Sequence, residues 1–340
     1  MKKIGIIGAS GYSGEVLVEI LAGHPKVKDL QVASRTHAGK RIDQVLPRLA
    51  GLANDLVFME ADPNSLVKAD VDVWFLALPH GVSSAYALPL VEAGKLVIDL
   101  SADFRLNSGE TYAAYYGQAH PAPDWLQKVP YVLPEVALPG WRKASLIASP
   151  GCYPTSILMP LLPLVREKVL STENIVIHSM SGVSGAGKKE ALFYSFCERS
   201  ESVLAYGLGR HRHLAEIEEQ LGMAARKAVM VQFTPHLVPM MRGIASTIVI
   251  PCAGGTEAAY ASWEKAFGKK RGVNLLEAGQ SPDTRNVIGR NRVELSAFKD
   301  ERTGNLLITS AIDNLMKGAG GQAVQIMNLR LGWPEFAGLR

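Results

Sequence analysis

Cysteine is scarce: Cys152, Cys197 and Cys252 are the only three in 340 residues. There is no CxxC pair and no Cys/His cluster at metal-ligand spacing. This argues against a disulfide framework or a zinc site and for a reducing compartment. Charge excess is also small, 36 Lys and Arg against 32 Asp and Glu for a net of +4. That balance calls for no nucleic acid, though it suits anionic metabolites. The longest apolar region, 144–165, is interrupted by prolines at 150, 154, 160 and 163, so no membrane span is expected. After Met1-Lys2-Lys3 the apolar run meets Gly8 within a few residues, which reads as a strand rather than an export signal; the expected location is the cytoplasm. Internal repeats and low-complexity tracts are missing. With 47% hydrophobic and 20% charged residues, the composition is that of a soluble globular protein long enough for two domains.

What is present is a recurring strand-to-helix pattern. Residues 4–7 form a short apolar strand ending in Gly8-Ala9-Ser10-Gly11-Tyr12-Ser13-Gly14, and Val16, Leu17, Ile20 and Leu21 then recur at helical spacing. The glycine spacing is GxxGxxG rather than GxGxxG, but the physics survives. Gly8, Gly11 and Gly14 let a pyrophosphate approach the N–H groups of a helix N-terminus, Ser10 and Ser13 add hydroxyls, and Tyr12 borders them. The next strand, 30–33, ends in Ser34-Arg35-Thr36. An NAD site usually has an acidic residue there for the ribose diol; Arg35 with Ser34 beside it suits a 2′-phosphate, which favours NADP(H). The competing reading of Arg35 is an ordinary solvated charge.

Two more buried strands, 71–78 and 96–100, end in Pro79-His80-Gly81 and in Ser101-Ala102-Asp103-Phe104-Arg105, with a helix carrying Ala85, Leu88 and Val91 between them. Alternating strands and helices predict an α/β fold with a doubly wound, Rossmann-type parallel sheet, whose ligands bind at the carboxyl ends of the strands. Pro79 falls at such an end beside the dinucleotide, and Arg105 at another, where it can grip a phosphate or carboxylate. Residues 107–143, rich in Tyr, Gly and Pro, predict a long surface excursion, with Tyr112, Tyr115 and Tyr116 packing rather than lining a pocket.

The stretch Ser149-Pro150-Gly151-Cys152-Tyr153-Pro154-Thr155 lies between the strand-like 146–148 and a helix-like run, 156–165. Cys152 is thereby placed at a helix N-terminus, where the macrodipole favours thiolate over thiol, and is a candidate nucleophile. The alternative is a buried apolar thiol.

Strand 175–178 leads into a polar loop, 179–189, that includes Gly182-Val183-Ser184-Gly185-Ala186-Gly187-Lys188-Lys189. It is no P-loop: Lys stands where Ser or Thr should hold magnesium, and the first glycine is one position too close. Further on, His211-Arg212-His213 precedes an amphipathic helix striped by Leu214, Ile217 and Leu221. If 211–213 is extended, both imidazoles project to one side and Glu216 can orient one of them. A general acid/base pair is preferred to a metal site, which lacks a third ligand, or to a structural role. Strands at 229–233, 244–250, 293–298 and 306–312, with a helix at 257–267, predict a mainly antiparallel sheet with one face open to ligand or subunit contact. The expected domains are 1–148, completed by a helix over 317–340, and 149–316 for catalysis and oligomerisation.

Gly8 through Gly14, Pro79-His80-Gly81, Asp99 through Arg105, Gly151 through Thr155, Ser181 through Lys188 and His211-Arg212-His213 together resemble the N-acetyl-gamma-glutamyl-phosphate reductases, relatives of aspartate-semialdehyde dehydrogenase. So do Pro235-His236-Leu237, Met241-Arg242-Gly243 and the segment from Asp313-Asn314-Leu315 through Gln325. One departure is Leu214-Ala215, where that family has Thr-Pro. The resemblance implies NADPH-dependent reduction of N-acetyl-L-glutamyl 5-phosphate to N-acetyl-L-glutamate 5-semialdehyde, with release of phosphate and a thioester on Cys152, in arginine biosynthesis. It implies His211 or His213 for the proton, with Glu216 beside them, and Arg105 and Lys188 for the phosphate. Gly182 and Asn314 would serve the cofactor, with Lys317 near its nicotinamide end, and the assembly would be a homodimer or homotetramer. A carrier-bound aminoadipyl or glutamyl phosphate stays open as the substrate; Gly151 through Thr155 argues against aspartyl phosphate. A non-catalytic NADP-binding protein would need neither Cys152 nor the histidines.

Overall fold

The computed structural model describes the chain apart from Lys189, Ala253 and Lys269. Its contacts divide it into two units, Met1–Pro150 with Ala319–Arg340, and Gly151–Gly318.

The first unit runs β1 (Lys2–Ile7), α1 (Tyr12–Ala22), β2 (Val27–Ser34), α2 (Ile42–Val45), β3 (Phe58–Glu60), α3 (Pro63–Lys68), β4 (Val73–Leu76), α4 (Ser84–Glu92), β5 (Leu96–Asp99), α5 (Gly109–Tyr116) and β6 (Leu146–Ala148). Its six strands pair in parallel in the order β3-β2-β1-β4-β5-β6. A parallel sheet is covered on both faces, so its strands need no polar alternation. All four residues of β4 are accordingly buried. Gly5 sits opposite Trp74 in the register, and a β-carbon there would collide with the indole ring. The glycine makes room for the largest buried side chain.

Two expectations are corrected here. The excursion over 107–143 is not all surface: it contains α5, capped by Ser108, whose hydroxyl accepts from Thr111 N–H at 3.2 Å. Tyr112 is fully buried, stacked on Tyr116 at 4.6 Å, and donates its hydroxyl to Asp103 at 3.1 Å. One aromatic ring does the burying that an apolar stripe would do, so no period is visible. The helix expected over 317–340 is shorter, running Gly321–Arg330 after a π turn at Met316–Gly320. Gly332, at φ 68°, and Pro334 stop it.

The second unit runs α6 (Cys152–Arg166), β7 (Ile175–Ser181), α7 (Phe196–Arg199), β8 (Leu204–Ala205), α8 (His213–Ala225), β9 (Val231–Leu237), β10 (Ile244–Pro251), α9 (Gly255–Phe267), β11 (Val273–Leu275), α10 (Thr284–Val287), β12 (Val293–Asp300) and β13 (Asn305–Ile312). The seven strands lie in the order β11-β12-β13-β10-β7-β9-β8. The sheet is mixed: β11–β12 and β7–β9 are parallel and the other pairs antiparallel. Alternation along β10 buries Ile244, Ser246, Ile248 and Ile250 on the face that α6 packs against.

Helix α6 carries Pro160 and Pro163 in its interior. Proline has no N–H, so Pro160 cannot bond the carbonyl four residues before it. Ser310 of β13 supplies the missing donor, its hydroxyl bonding Ser156 O at 2.7 Å. Buried Ser156, Ser246 and Ser179 continue the tie, their hydroxyls 2.8 and 2.7 Å apart in sequence. Replacing Ser310 by Ala leaves a buried carbonyl without this donor, and urea unfolding is expected to show a loss of about 1–3 kcal/mol. A loss no larger than that of an exposed Thr303→Ala control would contradict this account.

Candidate active site

Helix α6 begins on an extended glycine, Gly151 at φ −69° and ψ 161°, with no side-chain cap. Two other contacts define its start. Glu216 Oε1 accepts from Gly151 N–H at 2.8 Å, and Thr155 donates both its N–H and its hydroxyl to Gly151 O at 2.9 Å. Cys152 is therefore the first helical residue, at the positive end of the helix dipole, the environment that stabilises a thiolate. It is half-buried and forms no disulfide.

Glu216 is buried and stands three residues after His213 in α8, so the two share a helix face. The extended geometry expected for 211–213 is corrected. Arg212 has helical φ −55° and ψ −35°, and Leu214 N–H donates to His211 O at 2.8 Å, so the segment is a turn that starts α8. The imidazoles still meet, 5.0 Å apart and inclined at 66°. His213 N–H donates to His211 Nδ1 at 3.2 Å, which leaves the proton of a neutral His211 on Nε2.

Three aromatic rings enclose His211: Tyr153 at 5.3 Å, Tyr206 at 5.5 Å and Phe233 at 5.5 Å. Tyr153 follows the candidate nucleophile directly, contacts the His213 ring at 5.9 Å and shares a 2.9 Å hydroxyl bond with Tyr206. Burial pushes both phenols up, Tyr206 to about 12. Burial first, and the Arg212 charge second, push His211 down to about 4.

The loop after β7 closes on itself through Asn314. Its Oδ1 accepts from Gly243 N–H at 2.7 Å and its Nδ2 donates to Ser184 Oγ at 3.0 Å. Gly182 N–H donates to Gly243 O at 2.9 Å, and a β-carbon on Gly182 would stand 2.8 Å from the backbone of Met241 and Arg242. Both candidate cofactor residues thus have work inside the unit. Lys317 is fully buried, Lys188 is exposed, and Lys189 lies outside the described residues.

In the first unit, Gly8 has φ +87°, and an added β-carbon would stand 2.9 Å from the Ala77 carbonyl carbon; one on Gly14 would stand 2.6 Å from Ala9 Cα. Gly11 differs, with an ordinary φ of −78° and a nearest atom at 3.6 Å. The chain itself does not require glycine there, and bare backbone at an uncapped helix N-terminus fits a phosphate. Ser10, Tyr12 and Ser13 flank it, partly exposed. Ser34 is buried at the end of β2, with its hydroxyl 3.4 Å from that of Thr36. Arg35 beside it is exposed and makes no ion pair among the described residues. That donor set fits NADP(H) with its 2′-phosphate. Pro79 is exposed just beyond β4. Arg105 is nearly buried and ties strand ends together, donating from Nε to Ser149 O at 2.9 Å and from Nη2 to Leu100 O at 2.7 Å.

Tyr206 lies in a stretch without periodicity, so no pattern marks it. Asp313 was visible beside Asn314 but drew no role. Among the described residues no group of His, Cys, Asp or Glu is arranged to hold a metal, and no helix is long and apolar enough to cross a membrane.

The His211 shift has a consequence for stability. Its folded value lies below the usual 6.5, so as pH falls the unfolded chain takes up a proton that the folded chain refuses. Stability therefore drops from about pH 6.5 to about pH 4, by up to ~3 kcal/mol. Urea midpoints at pH 7 and pH 5 are expected to differ less in His211→Gln than in the parent. Equal differences would contradict the half-buried neutral imidazole.

Two family models match, "Semialdehyde dehydrogenase, NAD binding domain" over residues 3–143 and "Semialdehyde dehydrogenase, dimerisation domain" over 152–314. The N-acetyl-gamma-glutamyl-phosphate reductase of Akkermansia muciniphila is 45% identical over 340 residues, covering 99% of this chain and 98% of that protein. The one of Alkaliphilus metalliredigens is 44% identical over 349 residues, covering 100% and 98%. Among solved structures, aspartate semialdehyde dehydrogenase II of Vibrio cholerae matches with TM-score 0.74 at 20% identity over 98% of each chain. Aspartate semialdehyde dehydrogenase of Candida albicans with NADP matches with TM-score 0.70 at 19% identity, covering 97% and 98%. The solved structures establish the fold, and the sequence relatives the finer kinship: this chain belongs to the N-acetyl-gamma-glutamyl-phosphate reductase family of semialdehyde dehydrogenases.

Proposed function

We propose that this chain reduces N-acetyl-L-glutamyl 5-phosphate to N-acetyl-L-glutamate 5-semialdehyde, releasing phosphate, as an NADPH-dependent step of arginine biosynthesis. The observation that carries the reading is Cys152 at the start of α6, its helix fixed by Glu216 from the same helix that presents His213.

The imidazole pair takes the Cys152 proton. The thiolate attacks the acyl carbon, the carbon–oxygen bond to phosphate breaks with its electron pair leaving on phosphate, and a thioester remains on Cys152. NADPH, when bound, supplies the hydride that reduces the thioester carbonyl. The resulting alkoxide on the Cys152 adduct reforms a carbonyl, expels the thiolate and frees the aldehyde. His211 enters neutral, with Nε2–H as a donor for the developing oxyanion; such a donor contributes roughly 3 kcal/mol to the transition state. Glu216 holds the helix that carries the nucleophile. Arg105 and Lys188 are the cations assigned to phosphate.

For the cofactor, Gly8, Gly11 and Gly14 with Ser10, Tyr12 and Ser13 receive the pyrophosphate, and Ser34 and Arg35 the 2′-phosphate. Pro79, Gly182 and Asn314 complete the assigned set. The dimerisation-domain match supports an oligomer, proposed as a homodimer or homotetramer. Since Cys152 works only as a reduced thiol, the proposed setting is the cytoplasm.

The direct test is phosphate-dependent reduction of NADP by the purified protein with N-acetylglutamate semialdehyde, run beside aspartate semialdehyde. Turnover with the first and little with the second is expected; the reverse would reassign the substrate. Cys152→Ser is expected to lose nearly all turnover yet bind NADPH, as read by fluorescence titration, and full turnover would end the covalent mechanism. Arg35→Ala should weaken NADPH by roughly tenfold or more while leaving NADH nearly unchanged. Equal losses for the two nucleotides would displace the 2′-phosphate contact.

A further inference from the structure

We propose that the turn from Asp313 to Gly318 positions the nucleophile: Asp313 fixes the turn, and Gly318 lays bare backbone against the β-carbon of Cys152. The proposal rests on Cys152 being the nucleophile and adds a determinant of its geometry.

Asp313 is fully buried, and four donors converge on its carboxylate. Oδ1 accepts from the N–H groups of Leu315 at 2.8 Å and Met316 at 3.1 Å, and Oδ2 from Gly289 N–H at 2.7 Å. Arg242 Nη2 lies 2.9 Å from Oδ2. The main-chain carbonyl of Asp313 accepts from Gly318 N–H, five residues on, at 3.0 Å, within the π turn Met316–Gly320. Such turns are rare and recur at functional sites. This one is pinned by the side chain of the residue that begins it.

Gly318 shows what the turn is pinned against. A β-carbon there would stand 2.8 Å from Cys152 Cβ, 3.2 Å from Cys152 Cα and 3.4 Å from Ile312 Cδ1. Gly318 is not among the positive-φ glycines, so its backbone would accept alanine. The demand for glycine comes from the space. Carbon atoms settle at about 3.5–4.0 Å, so any side chain at 318 drives the turn and Cys152 apart by ~0.7 Å or more. Glu216 holds Gly151, so the helix start cannot retreat without straining that bond. The thiol shifts instead.

The test uses full-length protein carrying Cys197→Ser, which removes the exposed thiol. Iodoacetamide alkylation of Cys152 is followed against pH, with the modified peptide identified by mass spectrometry, beside kcat, KM and Tm. Gly254→Ala is the control for overpacking, since its β-carbon would stand 2.8 Å from Ala258 Cβ without meeting Cys152. Gly318→Ala is expected to lower kcat about tenfold or more, change KM less than about threefold and displace the alkylation midpoint. Gly254→Ala is expected to lower Tm only. A Gly318→Ala enzyme with the parental kcat and alkylation profile overturns the proposal, whatever its Tm. If that variant does not fold, Asp313→Asn decides. It keeps an oxygen for Leu315 and Met316 but loses the charge that pairs with Arg242 and the acceptor of Gly289 N–H; a displaced midpoint supports the proposal and an unchanged one overturns it. A parental enzyme still active after complete alkylation of Cys152 would instead remove the nucleophile reading, which keeps the two failures apart.

Discussion

A buried hydrogen bond, Gly151 N–H to the carboxylate of Glu216, joins the two helices on which the second unit's chemistry depends. A glycine N-cap offers no side chain to its own helix, so the start of α6 would fray if nothing else held it. A bond to a charged acceptor in a buried setting contributes roughly 1.5–3 kcal/mol, enough to hold one turn. Because Glu216 and His213 share a face of α8, the bond that fixes the nucleophile also holds the helical turn that carries the His213 imidazole. The bond has an electrostatic cost. It places a carboxylate at the helix end where the thiolate forms, so the dipole and the carboxylate act on Cys152 in opposite directions.

The stiffness of α6 extends that logic into the sheet. Two interior prolines would ordinarily weaken a helix by several kcal/mol. Here the carbonyl left without a donor by Pro160 is met by Ser310, and Trp263 Nε1 donates to Pro160 O at 2.9 Å. Pro160 thus exchanges a helix-internal bond for one that reaches β13, and the Trp263 bond adds a tie to α9. A helix tied to its surroundings at several levels cannot slide along its axis, and for a nucleophile axial position matters most. Catalytic geometry tolerates errors well under an ångström.

What could be read from the sequence was local. The strand, glycine turn and helix around Gly8, the buried runs of β4 and β5, and the placement of Cys152 at a helix start all rest on neighbours within a few residues, where period and turn chemistry act. What escaped was long-range or lacked a period. Glu216 meets Gly151 across 65 residues, and nothing near either one announces the pairing. An extended 211–213 would have set both imidazoles on one side just before the helix. The backbone turns instead, with Arg212 in helical geometry and Leu214 N–H bonded to His211 O ahead of α8. Helix α5 was missed because Gly109, Thr111 and three tyrosines look like loop composition, whereas burial of Tyr112 against Asp103 decides the conformation.

Glycines are the residues most readily over-read in such a chain, and the geometry separates two kinds. Gly8 and Gly14 are required by the backbone they touch, as is Gly182 against Met241 and Arg242, and Gly5 is required by the Trp74 indole. Each would be glycine whether or not a ligand ever approached. Gly11 has an ordinary φ and ordinary room, so replacing its hydrogen by a methyl group would cost the free protein little and would gain helix-start entropy. An absent side chain that folding does not demand is better evidence of a ligand than one that it does. A dinucleotide phosphate in the first unit is therefore indicated chiefly by Gly11, at the uncapped end of α1, and next by the exposed Arg35.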